Sequence, residues 1–116
     1  MSVLLTGGTG QLGRMLLNEL NTQHLFVSFL TGGKAFPSNS GMKVINADLT
    51  DYTSLSGALS HDYDVVVHCA SDPRESDMVD VEGTRNLLKA VGNTNVKNFI
   101  YISIVGIDKA AYLYYQ

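Results

Sequence analysis

The sequence predicts an α/β domain, a doubly wound parallel sheet of about five strands with helices on both faces. Three observations lead there. Short apolar, β-rich runs alternate with helical patterns along the 116 residues. Those runs are near-continuously apolar, as in strands covered on both faces; a half-exposed strand alternates instead. A glycine-rich turn joins the first apolar run directly to the first helical pattern.

The elements follow in order. Residues 2–6 (SVLLT) form a first strand. Residues 11–20 form a helix, because Leu12, Met15, Leu16, Leu17 and Leu20 recur at helical spacing. Residues 25–30 (LFVSFL) form a second strand, and residues 31–41 (TGGKAFPSNSG) a loop rich in turn formers. A short third strand spans 42–46, and a helix spans 52–60 with Asp51 as its N-cap. Residues 65–68 form the fourth strand, 78–91 a second long helix, and 98–103 (NFIYIS) the fifth strand. Right-handed crossovers between such parallel strands wind helices onto both faces.

Composition narrows the function classes. Hydrophobic residues make up 45% and charged residues 16%, so the chain reads as one ordered domain over residues 1–116. The net charge is −3 and no run of Lys and Arg occurs, which argues against nucleic-acid and membrane partners. The lone Cys69 excludes a disulfide framework or a cysteine-based zinc site. The run Val3-Leu4-Leu5 is too short for a signal peptide or a span, and a cytoplasmic location is the default expectation. Asp72, Glu75, Asp77, Asp80 and Glu82 cluster around Arg74. Their spacing matches no calcium loop, so they are read as complementing a helix dipole, capped by Ser76 or Asp77, and no metal is expected.

The stretch Thr6-Gly7-Gly8-Thr9-Gly10-Gln11-Leu12-Gly13 carries the chemistry. Gly7 suits the tight turn off the strand, Gly10 leaves backbone open to a pyrophosphate, and Gly13 allows close helix packing. The N–H groups of Gln11, Leu12 and Gly13, with the helix dipole, then face the phosphates. Thr9 belongs to the same cradle. No Gly-Lys-Ser/Thr follows, so the turn is not a Walker loop.

This turn resembles the TGxxGxxG fingerprint of the short-chain dehydrogenase/reductase superfamily, whose fold is Rossmann-like. Further pieces are similar to its extended and atypical branches: Asn46-Ala47-Asp48-Leu49-Thr50-Asp51 after the third strand, His68-Cys69-Ala70-Ser71 at the end of the fourth, and Val81-Glu82-Gly83-Thr84-Arg85-Asn86-Leu87-Leu88 in the second long helix. The segment Val96 to Gly106 resembles the fifth strand and its loop. The nearest likeness is the NmrA-like, NAD(P)H-binding branch.

The resemblance implies a dinucleotide cofactor, NADP or NAD. No carboxylate stands at the end of the second strand, where one would favour NAD. Lys34 is the nearby cation and tips the reading slightly to NADP, although a solvated loop lysine explains it equally well. The Thr31 hydroxyl suits either form. The family places an aspartate like Asp48 against the adenine amino group, with Leu49 on the adenine face; a turn-capping role for Asp48 stands at even odds. It places a turn like Cys69-Ala70-Ser71 against the adenine-side ribose. His68 is read as a satisfied, half-buried histidine, and Cys69 as a small buried filler rather than a nucleophile. Asn86 sits mid-helix, where the related family uses an asparagine in a structural or proton-relay role.

The family's reductases use a Tyr-x-x-x-Lys pair and a serine near the fifth strand. Ser103 and Tyr114 are the candidates here, but the matching lysine would fall beyond Gln116, and Ile104 stands where the catalytic hydroxyl is expected. The domain is therefore expected to be truncated, lacking its later strands and substrate lobe. The fifth strand would then be an exposed edge through which a homodimer could form. A fragment, a truncated gene and a dimer all fit. The leading reading is the NAD(P)-binding domain of an oxidoreductase or epimerase acting on a small carbonyl or sugar substrate, with this chain alone inactive. The alternative is a non-catalytic NAD(P) redox sensor acting through a protein partner.

Overall fold

A computed structural model of the chain describes residues 1–8, 10–23, 25–32, 43–59, 63–70 and 77–102. Within them lie β1 (Ser2–Thr6), α1 (Gln11–Thr22), β2 (Phe26–Thr31), β3 (Lys43–Asn46), α2 (Tyr52–Ala58), β4 (Val65–His68), a π-helical segment (Asp77–Gly83), α3 (Thr84–Val91) and β5 (Asn98–Tyr101). All strand pairs are parallel, in the order β3-β2-β1-β4-β5. The chain reverses its direction of growth between β1 and β4, which opens a crevice at their carboxyl ends.

The near-continuous apolar runs have a simple reason. Leu4 of β1, Leu30 of β2, Ile45 of β3 and Val66 of β4 point to one face, where they meet Leu55 and Leu59 from α2 and its end and Leu87, Ala90 and Val91 from α3. Leu5, Val27 and Phe29 point to the other face and pack with Leu17 and Leu20 of α1. Successive strand residues alternate between faces, and both faces are covered, so every position wants an apolar side chain.

Local signals set the helices. Asp51 caps α2: its Oδ1 accepts from the backbone N–H groups of Thr53 (3.1 Å) and Ser54 (3.4 Å). Such a cap contributes about 1 kcal/mol. Across the same face, the Lys89 ammonium sits 4.3 Å from the Tyr52 ring centroid and ties α3 to α2.

Several expected boundaries shift. Thr31 extends β2 rather than opening the loop, because its carbonyl still accepts from Ala47 N–H at 3.0 Å. α1 runs on to Thr22, and α2 stops at Ala58. The largest correction is the helix expected over 78–91: its first half is π-helical and only Thr84–Val91 is α-helical. Seven residues make too few turns for hydrophobic spacing to separate the two windings. β5 is, with β3, one of the two outer strands of the described sheet and carries exposed Ile100 and Tyr101, followed by exposed Ile102.

A buried polar lock fastens β1, β4 and α3 together. Thr6 Oγ1 lies 2.6 Å from His68 Nδ1 and accepts from the backbone N–H groups of Cys69 (3.1 Å) and Ala70 (3.2 Å). Two accepted bonds fill the oxygen's lone pairs. Its own proton must therefore go to Nδ1, which leaves the imidazole proton on Nε2, 2.8 Å from Thr84 Oγ1. His68 is only 1% exposed, more buried than the sequence implies, and Phe99 and Tyr101 stack obliquely beside it. Burial lowers its pKa from 6.5 to about 4, and the saturated Thr6 oxygen offers no place for a second proton.

This lock sets a pH dependence. The unfolded imidazole titrates near 6.5 and the folded one near 4, so between these values the unfolded chain binds more protons. The stabilisation is fully present above pH 6.5 and is lost as pH falls toward 4, by about 3 kcal/mol in all. Urea denaturation at stepped pH should show this slope in the native chain and not in His68→Gln; equal slopes would contradict the lock. A second expectation concerns Tyr63, whose hydroxyl is buried with no hydrogen-bond partner among the described residues. Burial raises its pKa, and the nearby Ser28 hydroxyl offsets this only in part. Tyr63→Phe removes a buried hydroxyl whose one described polar neighbour is Ser28, so denaturation should show stability changed by no more than about 1 kcal/mol.

Candidate functional site

The carboxyl ends of β1, β2, β3 and β4 rim a cleft of about 320 Å³, within the range of small-molecule sites. Its floor is Thr6, Gly7 and Gly10. One wall is Phe29 to Gly32 with Ala47 to Thr50; the opposite wall is Cys69, Ala70 and Val79 from the π-helical segment. Asp48 is the one carboxylate among the described lining residues, and no described basic side chain joins it. An anion here meets backbone N–H groups and a helix dipole rather than Lys or Arg.

The glycines of the turn divide by cause. Gly7 has φ +74°, and a Cβ there would come within 2.5 Å of the backbone of Cys69 and Ala70. A Cβ on Gly13 would overlap the Gly7 carbonyl and the Gly8 Cα. β1's exit, the start of α1 and the segment after β4 therefore share one volume that only bare backbone fits. Gly8, which sequence reasoning passed over, is required by the Phe29 ring, which a Cβ there would overlap. Gly10 differs from all three. Its backbone is extended (φ −77°, ψ 172°), it is exposed, and among the described residues the nearest atom to a Cβ, its chain neighbours aside, would be the Gly7 carbonyl oxygen at 3.4 Å. The fold does not require glycine there. As the N-cap of α1 it also gives no side-chain hydrogen bond, so a better capping residue has been forgone.

Of the expected site residues, Gly7, Gly10, Thr31, Asp48, Leu49, Cys69 and Ala70 line the cleft. Gln11, Leu12 and Gly13 form the first turn of α1 at its edge, with Gly13 buried beneath Gly7. Thr9, Lys34, Ser71, Ser103 and Tyr114 lie outside the described residues. Asp48 does take the turn-capping role: its Oδ1 accepts from the backbone N–H (2.9 Å) and the hydroxyl (2.7 Å) of Thr50. Both of these bonds fall on one carboxylate oxygen. Cys69 departs from the buried filler expected of it. It is half-buried and faces the cleft, and burial pushes its thiol pKa up, which disfavours the nucleophilic thiolate.

Sequence reading did not place some features in or beside the cleft. Thr6 fixes the Cys69–Ala70 backbone from inside the sheet. Phe29 and Val79 belong to elements whose pattern speaks only of core. Asn86 Nδ2 donates 2.8 Å to the Leu49 carbonyl; its mid-helix amide was a visible signal, but its partner 37 residues away was not. Within the acidic stretch Glu82 pairs with Arg85 at 2.9 Å, and no metal-binding cluster occurs among the described residues. No described helix is long and apolar enough to cross a membrane.

Comparison with known proteins agrees with this geometry. A family described as NAD(P)H-binding matches residues 7–114. An uncharacterised protein of Mycobacterium tuberculosis is 32% identical over 103 residues, 89% of this chain and 12% of that protein. Photosystem II assembly factor Ycf39 of a Synechocystis species is 34% identical over 113 residues, covering 90% of this chain and 34% of that one. The chain thus spans between about an eighth and about a third of the length of these relatives. Among solved structures, a short-chain dehydrogenase/reductase superfamily protein of Agrobacterium tumefaciens with bound NAD superposes with a TM-score of 0.75 at 28% identity, over 97% of this chain and 36% of that one. UDP-glucose 4-epimerase of Thermus thermophilus, complexed with NAD, gives 0.77 at 26% identity, over 89% and 37%. The switch-point cleft, the glycine-lined turn and the match over residues 7–114 converge: the chain belongs to the NAD(P)H-binding family, as a Rossmann-like domain of the short-chain dehydrogenase/reductase and epimerase superfamily.

Proposed function

We propose that the cleft holds a nicotinamide dinucleotide with its pyrophosphate over Gly7, Gly10 and the first turn of α1, and its adenosine toward β2 and β3. The observation that carries this is Gly10. Neither its backbone, nor its packing, nor its cap position calls for glycine, so the missing side chain is best explained by a ligand that needs the space. The N–H groups of Gln11, Leu12 and Gly13, together with Thr9, bind the phosphates. The adenine lies over Leu49, with its amino group donating to the Asp48 carboxylate. Thr31 bonds the adenosine ribose, and the small Ala70, with Cys69 and Ser71, lets that ribose approach.

The end of β2 offers Thr31 and Gly32 and no carboxylate. A 2′-phosphate therefore meets no repulsion there, and Lys34 two residues on supplies a positive charge. This favours NADP over NAD. The bound nicotinamide supplies hydride chemistry. In the whole protein that chemistry serves a small carbonyl or sugar substrate, and Ser103 and Tyr114 are the hydroxyls offered for proton transfer and substrate polarisation. The likeness to a superfamily reductase and to an epimerase supports this reading, and the relatives give the sensor alternative no support.

Gly10→Val should weaken NADPH and NADH binding by more than tenfold, about 1.4 kcal/mol or more, while the thermal midpoint stays within a few degrees. Fluorescence titration beside a melting curve tests it; unchanged affinity would remove the turn from the site. Lys34→Ala should weaken NADPH and leave NADH unaffected, and equal losses for both would exclude recognition of the 2′-phosphate by Lys34.

A further inference from the structure

The bond from Asn86 to Leu49 serves no cap, and it runs beside the packing of Leu49 on the core that holds Leu87. It leaves α3 two residues after Thr84, crosses to the turn that follows β3, and ends on the carbonyl of a residue lining the cleft. An amide inside a helix is an unfavourable choice by propensity, and a half-buried one needs a partner. The turn it reaches is otherwise bonded within itself and to α2. Asp48 Oδ1 holds Thr50, Asp48 N–H donates to Ser54 Oγ at 3.0 Å, and Asp51 N–H donates to the Asp48 carbonyl at 3.0 Å. Asn86 adds the tie to α3, which is itself fixed to β4 through Thr84 and His68.

We infer that Asn86 is a positioning residue: by holding the Leu49 carbonyl it sets the height of the Asp48–Leu49 rim, and with it the affinity for the adenine end of the dinucleotide. The inference rests on the dinucleotide reading above. The pyrophosphate end, at Gly7 and Gly10, lies on the far side of the cleft floor and makes no contact with Asn86. Replacing the amide by a carboxylate turns a donor into an acceptor facing a carbonyl oxygen 2.8 Å away, so the rim must move.

The test uses the full chain and its Asn86→Asp and Asn86→Ala variants. NADH affinity is read by fluorescence, ADP-ribose and inorganic pyrophosphate affinities by displacement of NADH, and thermal midpoints alongside. In Asn86→Asp, NADH and ADP-ribose should weaken about five- to tenfold, the effect of one lost hydrogen bond. Asn86→Ala should show a smaller loss in the same two ligands, and pyrophosphate should stay within twofold throughout. A purely structural role would lower the thermal midpoint and leave the ratio of ADP-ribose to pyrophosphate affinity unchanged; that result overturns the inference, as does undiminished ADP-ribose binding in both variants. Should Asn86→Asp not fold, the Asn86→Ala ratio decides by the same criterion. A native chain that binds none of the three ligands defeats the dinucleotide reading itself, whereas binding that the variants share equally defeats only the role of Asn86.

Discussion

Three backbones meet where β1 ends, and they meet without side chains. The Gly7 turn, the Gly13 turn of α1 and the Cys69–Ala70 segment stand so close that a single Cβ at Gly7 or Gly13 would overlap main-chain atoms. The arrangement of the cleft follows from this crowding. It brings the start of α1 up to the sheet, so its N–H groups reach the cleft floor. It also draws the segment leaving β4 over β1, which makes the opposite wall. A larger residue at either glycine would separate α1 from the sheet and widen the crevice that a diphosphate needs narrow.

Crowding alone does not orient the wall, and a hydroxyl completes the work. Thr6 Oγ1 holds the N–H groups of Cys69 and Ala70 from inside the sheet while its own proton goes to His68. His68 in turn reaches Thr84 at the start of α3. The polar chain runs from the floor of the cleft, through the core, to the helix on the far face, and every described member of it is satisfied. A buried network is worth keeping only in that condition. It passes through an imidazole that stays neutral, so it brings no charge beneath a site meant for a strongly anionic ligand.

The fold was largely legible because its signals are local. Apolar runs such as VLL and FVSFL name strands, Asp51 before Tyr52 names a helix start, and three spaced glycines after a strand name a phosphate turn. What escaped the reading depends on distant pairs. Gly8 is needed because of Phe29, Thr6 because of His68 and Ala70, and the Asn86 amide because of the Leu49 carbonyl. No spacing rule joins such residues, since strand order decides which of them become neighbours. The π-helical winding of Asp77–Gly83 escaped for another reason: the segment is only seven residues long, too short for periodicity to distinguish it from an α-helix. The turn-capping role of Asp48 was legible because it is local, reaching only to Thr50 two residues on.

The strand order also bears on how the chain reaches its native state. β1 pairs with β2 soon after synthesis of the first crossover, but its other flank waits for β4, whose His68 lies 62 residues from Thr6. Closing so long a loop must precede any gain from the contacts it enables. Until then this apolar strand, buried from Val3 to Thr6 in the native sheet, keeps one flank open. The central strand thus precedes its neighbours in the chain and is among the last of them to be completed, and the interval between those moments is when the chain is most exposed to aberrant association.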